Sequence, residues 1–192
     1  MLLIDNGIEK MALKLQQRQN LSHIEFLKVR LGMQVVVINS FKAVVTYGLA
    51  LLLNIFLYTL IVHLTFLALR GYSHGAHAKT SMLCHVQNIA SFVVLPWLIV
   101  QYDISFQFLL SLSILAAIIV IIYAPAATKK RPIAPGRVKG LKIKSIIVFI
   151  ILIALAFIIP APYNRFVVYG VLLQSFTLLP IFLTKREVKH QN

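Results

Sequence analysis

The chain has 192 residues, of which 59% are hydrophobic and only 12% are charged, with a mean hydropathy of +0.86. Soluble domains carry about 25% charged residues, so this composition indicates a protein whose solvent is a lipid bilayer. The formal charge of +14 comes from 19 Lys and Arg against 5 Asp and Glu. These basic residues separate apolar segments and form no soluble basic face. This argues against nucleic acid as a partner and favours loops beside anionic membrane lipid.

Residues 1–42 have the pattern of two amphipathic helices. Asp5 is expected to cap the first helix, and Ser22 with Glu25 forms an S-x-x-E capping box for the second. Both helices are predicted to lie in the membrane interface, although a dimer or partner-peptide surface fits the same pattern. The apolar stripe of the second helix follows the i, i+3/i+4 rule and consists of Ile24, Leu27, Leu31, Val35 and Ile38.

The uncharged run 43–69 is too long for a simple crossing. One helix of 27 residues would be about 40 Å long, against about 30 Å for the hydrocarbon core. A tilted crossing, a re-entrant hairpin or a second crossing borrowed from residues 31–45 all fit. Four further apolar spans are expected at 82–100, 106–124, 146–159 and 166–183, forming helical hairpins 82–124 and 146–183.

These segments predict an all-α fold, a polytopic integral membrane protein with N-terminal amphipathic helices and about four to six membrane-embedded helical segments. A single membrane-embedded domain covers residues 1–192. The basic loop 125–145 has seven Lys and Arg between Lys129 and Lys144 and no acidic residue. In contrast, the link 101–105 has no Lys or Arg, and the link 160–165 has one. The positive-inside rule therefore predicts a cytoplasmic location for the basic loop, for residues 70–82 and for both termini, including the tail 184–192. The same rule predicts that both short links are external.

Residues 70–91 form a polar stretch between apolar segments and contain the only cysteine of the chain, Cys84. His77 lies seven residues before it, so the two share a face on a continuous helix, and a break near residues 79–81 can bring the imidazole onto the sulfur. This pair suits nucleophilic catalysis, because a thiolate attacks and a neighbouring His accepts and then returns a proton. The pair is therefore the candidate catalytic centre.

The third member of such a centre cannot be a nearby carboxylate, since no Asp or Glu occurs between Phe26 and Tyr102. Gln87 and Asn88 are the local candidates for an amide that orients the imidazole.

Three alternatives remain open at this stage. Cys84 can be a small buried hydrophobe. A zinc-dependent membrane hydrolase can be built from His74, His77, Cys84 and His85, although this set lacks an acidic ligand and the H-E-x-x-H base. A peptide exporter is the third alternative, but the later spans offer few polar residues and no nucleotide-binding motif is present. No metal or other cofactor is expected.

Several motifs, in this order along nearly the whole chain, resemble the accessory gene regulator B (AgrB) family of staphylococci. The matching residues are Arg30-Leu31-Gly32-Met33-Gln34-Val35, His74-Gly75-Ala76-His77-Ala78, Cys84, Tyr123-Ala124-Pro125-Ala126-Ala127-Thr128-Lys129-Lys130 and Leu178-Leu179-Pro180-Ile181-Phe182.

The resemblance implies a bacterial cell-membrane cysteine endopeptidase of quorum sensing, with His77 and Cys84 as the catalytic pair. Its partner would be an AgrD-like precursor peptide, cleaved before its acidic tail through an acyl-enzyme thioester and cyclised to a thiolactone. The resemblance also implies a homodimer. Lys129, Lys130 and Arg131 then have two interpretations, as determinants of topology and anionic lipid binding, or as a binding site for the acidic tail of the precursor.

Overall fold

A computed structural model describes residues 2–76, 81–128 and 132–182, and within these ranges the chain is helical with connecting turns and has no β-strand. Five helices among the described residues are long and apolar enough to cross a membrane: His23–Leu52, Phe56–Ser73, the continuous helix Met82–Gln101, Phe106–Tyr123 and Pro135–Ile158. The all-α, multi-pass fold class is therefore confirmed. The helices are α1 (Leu2–Gln19), α2 (His23–Leu52), α3 (Phe56–Ser73), α4 (Ser81–Ile89), a π-helical turn (Ala90–Val94), α5 (Leu95–Gln101), α6 (Phe106–Tyr123), α7 (Pro135–Ile158), α8 (Asn164–Phe176) and a final 3₁₀ turn (Pro180–Phe182).

The chain separates into two compact units, residues 1–48 and 49–192. In the first unit the predicted capping box is confirmed. The Ser22 hydroxyl and backbone N–H donate to Glu25 Oε2 at 2.8 and 2.9 Å, and the Glu25 N–H donates to Ser22 Oγ at 3.4 Å. α1 begins at Leu2, three residues before Asp5, so the predicted start of this helix is wrong. An ion pair joins the two helices, with Arg30 Nη2 at 3.2 Å from Glu9 Oε2.

The apolar stripe predicted for α2 is exposed along its length. This placement suits contact with lipid or with a partner chain, as the pattern predicts, and it leaves both interpretations open. The exposed members are Ile24, Leu27, Leu31, Val35 and Ile38.

The run 43–69 contains the end of α2 and most of α3. α2 ends in a Schellman motif, in which Asn54 has a left-handed φ of 55°. The Asn54 N–H donates to Leu51 O at 3.1 Å and the Ile55 N–H donates to Ala50 O at 2.9 Å. This turn satisfies the last carbonyls of α2, and α3 starts directly after it at Phe56. A single tilted crossing over 43–69 is therefore wrong.

The centre of the second unit is α8, a helix of 13 residues of which eight are buried. It packs against α3, α6 and α7. At Gly170 a Cβ atom would lie 2.8 Å from Thr65 Cβ and 2.9 Å from Val62 O, so only glycine allows α3 and α8 to approach this closely. A glycine at the contact thus seats α8 directly against α3.

Two groups of connecting residues described in the second unit lie at opposite ends of α8. At one end Arg165 Nη1 donates to Asp103 Oδ1 at 2.7 Å and to Ile104 O at 3.0 Å, which ties the link before α6 to the link before α8. At the other end the Ala76 N–H donates to Thr177 O at 3.0 Å. Both links predicted to be external therefore share one end, while residues 73–76 lie at the other.

Two predicted boundaries differ from the structure. The basic loop 125–145 is helical from Pro135 onward, because proline suits the first position of a helix and long basic side chains can reach water from a helix. The segment 166–183 is an α-helix only as far as Phe176. Pro180, which cannot donate a backbone hydrogen bond, follows shortly after and starts a 3₁₀ turn. At about 20 Å, α8 is shorter than the hydrocarbon core.

Candidate functional site

The chain segment that leads into His77 is tied down by backbone hydrogen bonds. The Ala126 N–H donates to Ser73 O at 2.9 Å, the Gly75 N–H donates to Ala126 O at 3.3 Å, and the Ala76 N–H donates to Thr177 O at 3.0 Å. Residues 73–76, here called the 73–76 segment, are thereby joined to the chain after α6 and to the end of α8. Backbone groups that would otherwise lack partners near the protein interior are satisfied in this way.

Arg70, in the last turn of α3, reinforces this attachment. Its Nη2 donates to Ala76 O at 2.8 Å, and its Nη1 donates to Gln174 Oε1 at 3.2 Å and to Thr177 Oγ1 at 3.4 Å. The guanidinium also lies 5.3 Å from the centre of the Phe66 ring. The planar fork of arginine suits this role, because it holds several acceptors in one fixed geometry where lysine would hold them as a single point charge.

Gln174 of α8 is fully buried and also binds the 73–76 segment. Its Nε2 donates to Ser73 Oγ at 2.9 Å and to His74 O at 2.5 Å. With Oε1 accepting from Arg70, this amide uses both of its polar atoms. A buried polar group that is fully hydrogen-bonded in this way favours one conformation of the surrounding chain.

Gly75 is required by the shape of the segment. Its φ is +123°, where residues with a side chain are rarely found, and a Cβ there would lie 2.5 Å from Thr177 Oγ1 and 3.3 Å from Gln174 Nε2. The glycine of the His-Gly-Ala-His motif therefore permits both the turn and its close contact with α8.

Cys84 is half-buried in α4 and is the fourth residue of that helix. α4 continues through the π-helical turn Ala90–Val94 into α5. Gln87 is exposed and Asn88 is half-buried, and they follow Cys84 by three and four residues. That spacing places both amides on the Cys84 side of the helix, where an orienting amide is expected.

The π-helical turn is held from outside the helix. Thr59 Oγ1 of α3 donates to Phe92 O at 2.8 Å, and the Tyr169 hydroxyl of α8 donates to Ser91 O at 2.9 Å. A π-helical turn displaces carbonyls from the regular i→i−4 pattern, so such oxygens are available to side-chain donors. The helix that carries Cys84 is therefore anchored to both α3 and α8.

Four of the predicted site residues, His77, Lys129, Lys130 and Arg131, lie outside the described residues. The structure describes the chain up to Ala76 before His77 and up to the buried Thr128 before the basic triplet. Within the described ranges no three His, Cys, Asp or Glu side chains gather as metal ligands would. The metal alternative also needs His77, so it stays a prediction.

The sequence did not single out Arg70, Gln174 or Tyr169 as site residues. A weak signal existed for the first two, since Arg70 opens the polar stretch and Gln174 is an amide inside an otherwise apolar segment. Arg70 and Gln174 act through contacts between residues about 100 positions apart in the sequence. Gln174 and Ser73, for example, are separated by 101 positions. Sequence periodicity holds no information at that range.

Comparison with known proteins identifies the family. The family model for accessory gene regulator B matches residues 8–178. Accessory gene regulator protein B of Staphylococcus intermedius is 87% identical over 188 residues, which covers 98% of this chain and 100% of that protein. The same-named protein of Staphylococcus epidermidis is 47% identical over 190 residues, covering 99% of this chain and 98% of that protein.

A third relative, accessory gene regulator protein B of Staphylococcus aureus strain JH9, is 49% identical over 183 residues and covers 95% of this chain and 98% of that protein. No solved structure matches the chain. The similarity extends over almost the full length of each relative, as the order of the sequence motifs indicates. The chain therefore belongs to the accessory gene regulator B family, which acts in quorum sensing.

Proposed function

We propose that this protein is a membrane cysteine endopeptidase that cleaves an AgrD-like precursor peptide and promotes its cyclisation to a thiolactone, with Cys84 as nucleophile and His77 as general base and acid. The observation that carries the proposal is the attachment of the 73–76 segment. Arg70, Gln174 and the backbone of Thr177 all bind residues of this segment. Ala76 has both its N–H and its C=O engaged, so the chain enters His77 from a fixed point.

The proposed chemistry has two balanced steps. In the first, the Cys84 thiol loses its proton to His77 and the thiolate attacks the carbonyl before the acidic tail of the precursor. The C–N bond breaks, His77 returns the proton to the leaving amine, and a thioester to Cys84 remains. In the second, a cysteine thiol within the precursor attacks this thioester. Its proton passes to the departing Cys84 sulfur, and the thiolactone ring closes.

Water must be kept from the thioester for cyclisation to succeed. A site among membrane-spanning helices limits its access, and a thiol in the same peptide has a high effective concentration. Exchange of one thioester for another is close to thermoneutral apart from the closure of the ring. The reaction therefore needs exclusion of water and correct positioning more than an energy source.

Gln87 or Asn88 orients the His77 imidazole, and Lys129, Lys130 and Arg131 attract the acidic tail of the precursor. The catalytic loop and both termini face the cytoplasm, the basic loop contacts anionic lipid, and the protein acts as a homodimer. The shared end of the two short links, joined by Asp103 and Arg165, supports the predicted pairing of those links on one side of the membrane.

The deciding experiment uses the full chain in phosphatidylglycerol vesicles with a synthetic precursor peptide. Cys84→Ala and His77→Ala should each abolish cleavage, and the wild-type protein should give an adduct whose mass and hydroxylamine sensitivity identify a thioester at Cys84. His85→Ala is the matched histidine control and should retain cleavage. Cleavage that survives Cys84→Ala, or that a chelator and His85→Ala both abolish, would refute the cysteine mechanism in favour of the metal alternative.

A further inference from the structure

We infer that α8 is the positioning element of the catalytic pair, with Gln174 setting the chain that leads into His77 and Tyr169 setting the helix that carries Cys84. The inference rests on the proposed function, because it assigns a purpose to contacts with the segments that carry those two residues. It adds two residues, far from the motifs in sequence, to the machinery of the site.

Gln174 contacts the chain before His77 directly. Its Nε2 donates to two successive residues, Ser73 Oγ and His74 O, and its Oε1 accepts from Arg70 Nη1. Arg70 in turn donates to Ala76 O. Consecutive Cα atoms are 3.8 Å apart, so the residue after Ala76 starts within that distance of an anchored atom. Gln174 thus holds the residues that immediately precede His77 in the chain.

The Tyr169 side acts through a helix. Its hydroxyl donates to Ser91 O at 2.9 Å in the π-helical turn. Cys84 lies seven residues upstream of Ser91, which is two turns or about 10 Å along the same helix. A hydrogen bond to a carbonyl at this point restrains both the rotation of the helix about its axis and its sliding along it. Either motion would redirect the Cys84 sulfur.

The two contacts belong to one rigid body. Tyr169 and Gln174 are five residues apart on α8, so their side chains differ by about 140° around the helix axis and can reach two different elements. Both are buried, and Gly170 between them allows α8 to sit directly against α3. A single packed helix therefore relates the chain before His77 to the helix of Cys84. We expect the two positions to meet only when both attachments hold.

A disulfide trap measures this positioning without catalysis. In a His77→Cys protein, the new thiol and Cys84 should form an intramolecular disulfide under mild oxidant, at a rate set by how often the two positions meet. Adding Gln174→Met, which keeps the side-chain length but removes both polar atoms, should slow this disulfide by about tenfold or more. Ser175→Ala is the matched control, since the Ser175 hydroxyl donates to Val171 O of its own helix, and it should leave the rate unchanged.

Catalytic rates give the second readout. With His77 present, Gln174→Met and Tyr169→Phe should lower the single-turnover rate of thioester formation by about 10²-fold and about tenfold, respectively, with KM for the precursor unchanged. Tyr169→Phe deletes only one oxygen, so it keeps the test valid if Gln174→Met fails to fold. Tyr163→Phe, whose ring lies beside Tyr58 at the opposite end of the unit, is its control and should behave as wild type.

Two results would overturn the inference. One is that Tyr169→Phe and any folded Gln174→Met variant leave the disulfide rate at that of His77→Cys alone and the thioester rate at that of the wild-type protein. The other is equal slowing by the Ser175→Ala and Tyr163→Phe controls, which would indicate general loosening of the fold. Failure of the proposed function has a different signature, namely cleavage that persists in Cys84→Ala while the disulfide rates still depend on Gln174.

Discussion

Gly75→Ala tests whether the 73–76 segment must keep its observed shape. The substitution adds a single methyl group, yet this Cβ would lie 2.5 Å from Thr177 Oγ1, and the backbone φ of +123° is strained for alanine. Thr177 has little freedom to retreat, because its hydroxyl donates to Gln174 O at 2.8 Å and accepts from Arg70 Nη1. The methyl group therefore pushes the segment away from α8.

The magnitude follows from two contributions. A residue with a side chain in a sparsely populated backbone region costs about 1–3 kcal/mol, and loss of the partly buried hydrogen bond of the Thr177 hydroxyl costs about another 1 kcal/mol. The three backbone hydrogen bonds of the segment contribute about 1 kcal/mol each, which is comparable with this strain. We therefore expect the segment to shift by about 1 Å and the rate of precursor cleavage to fall about 10²-fold.

The assay is single-turnover cleavage of the precursor by the full chain in vesicles, with a melting curve to show that the helices remain folded. Gly71→Ala is the matched control. It lies four residues upstream inside α3, and a Cβ there meets nothing within 4 Å, so its activity should equal that of wild type. Wild-type activity of Gly75→Ala, or an equal loss in Gly71→Ala, would refute the importance of this contact.

Three further predictions concern the rest of the fold. Gly170→Ala should lower the melting temperature by about 3–10 °C, because its Cβ would lie 2.8 Å from Thr65 Cβ, and an unchanged melting curve would contradict the close helix contact. Asp103→Asn should change the melting temperature by less than about 4 °C, because Asp103 is 87% exposed and exposed ion pairs contribute less than about 1 kcal/mol. A larger loss would show that its ion pair with Arg165 stabilises the fold more than its exposure indicates. Ser22→Ala should destabilise the start of α2 by about 1 kcal/mol. The expected measurement is faster amide hydrogen exchange confined to the first turn of α2, and unchanged exchange there would contradict the capping role of Ser22.

Local features of this protein could be predicted well because their causes are local. A membrane-spanning helix satisfies its own backbone hydrogen bonds, so its presence follows from hydropathy and length. The capping box of Ser22 and Glu25 involves residues only three apart, and the sequence predicts it correctly. The membrane class, most of the helices and the prominence of Cys84 as the single thiol all follow in the same way. His77 enters the candidate pair through spacing and resemblance.

Tertiary structure decided which residues hold the 73–76 segment and the helix that carries Cys84. Gln174 is separated by 101 positions from Ser73, and Tyr169 by 78 from Ser91, so no pattern of neighbouring residues reveals either hydrogen bond. The sequence also predicts 166–183 as one more membrane span, because its hydropathy does not distinguish lipid contact from burial among helices. Folding places α8 inside the bundle, where its few polar side chains find partners. The Gln174 amide thereby contacts the 73–76 segment, and the Tyr169 hydroxyl contacts the helix that carries Cys84.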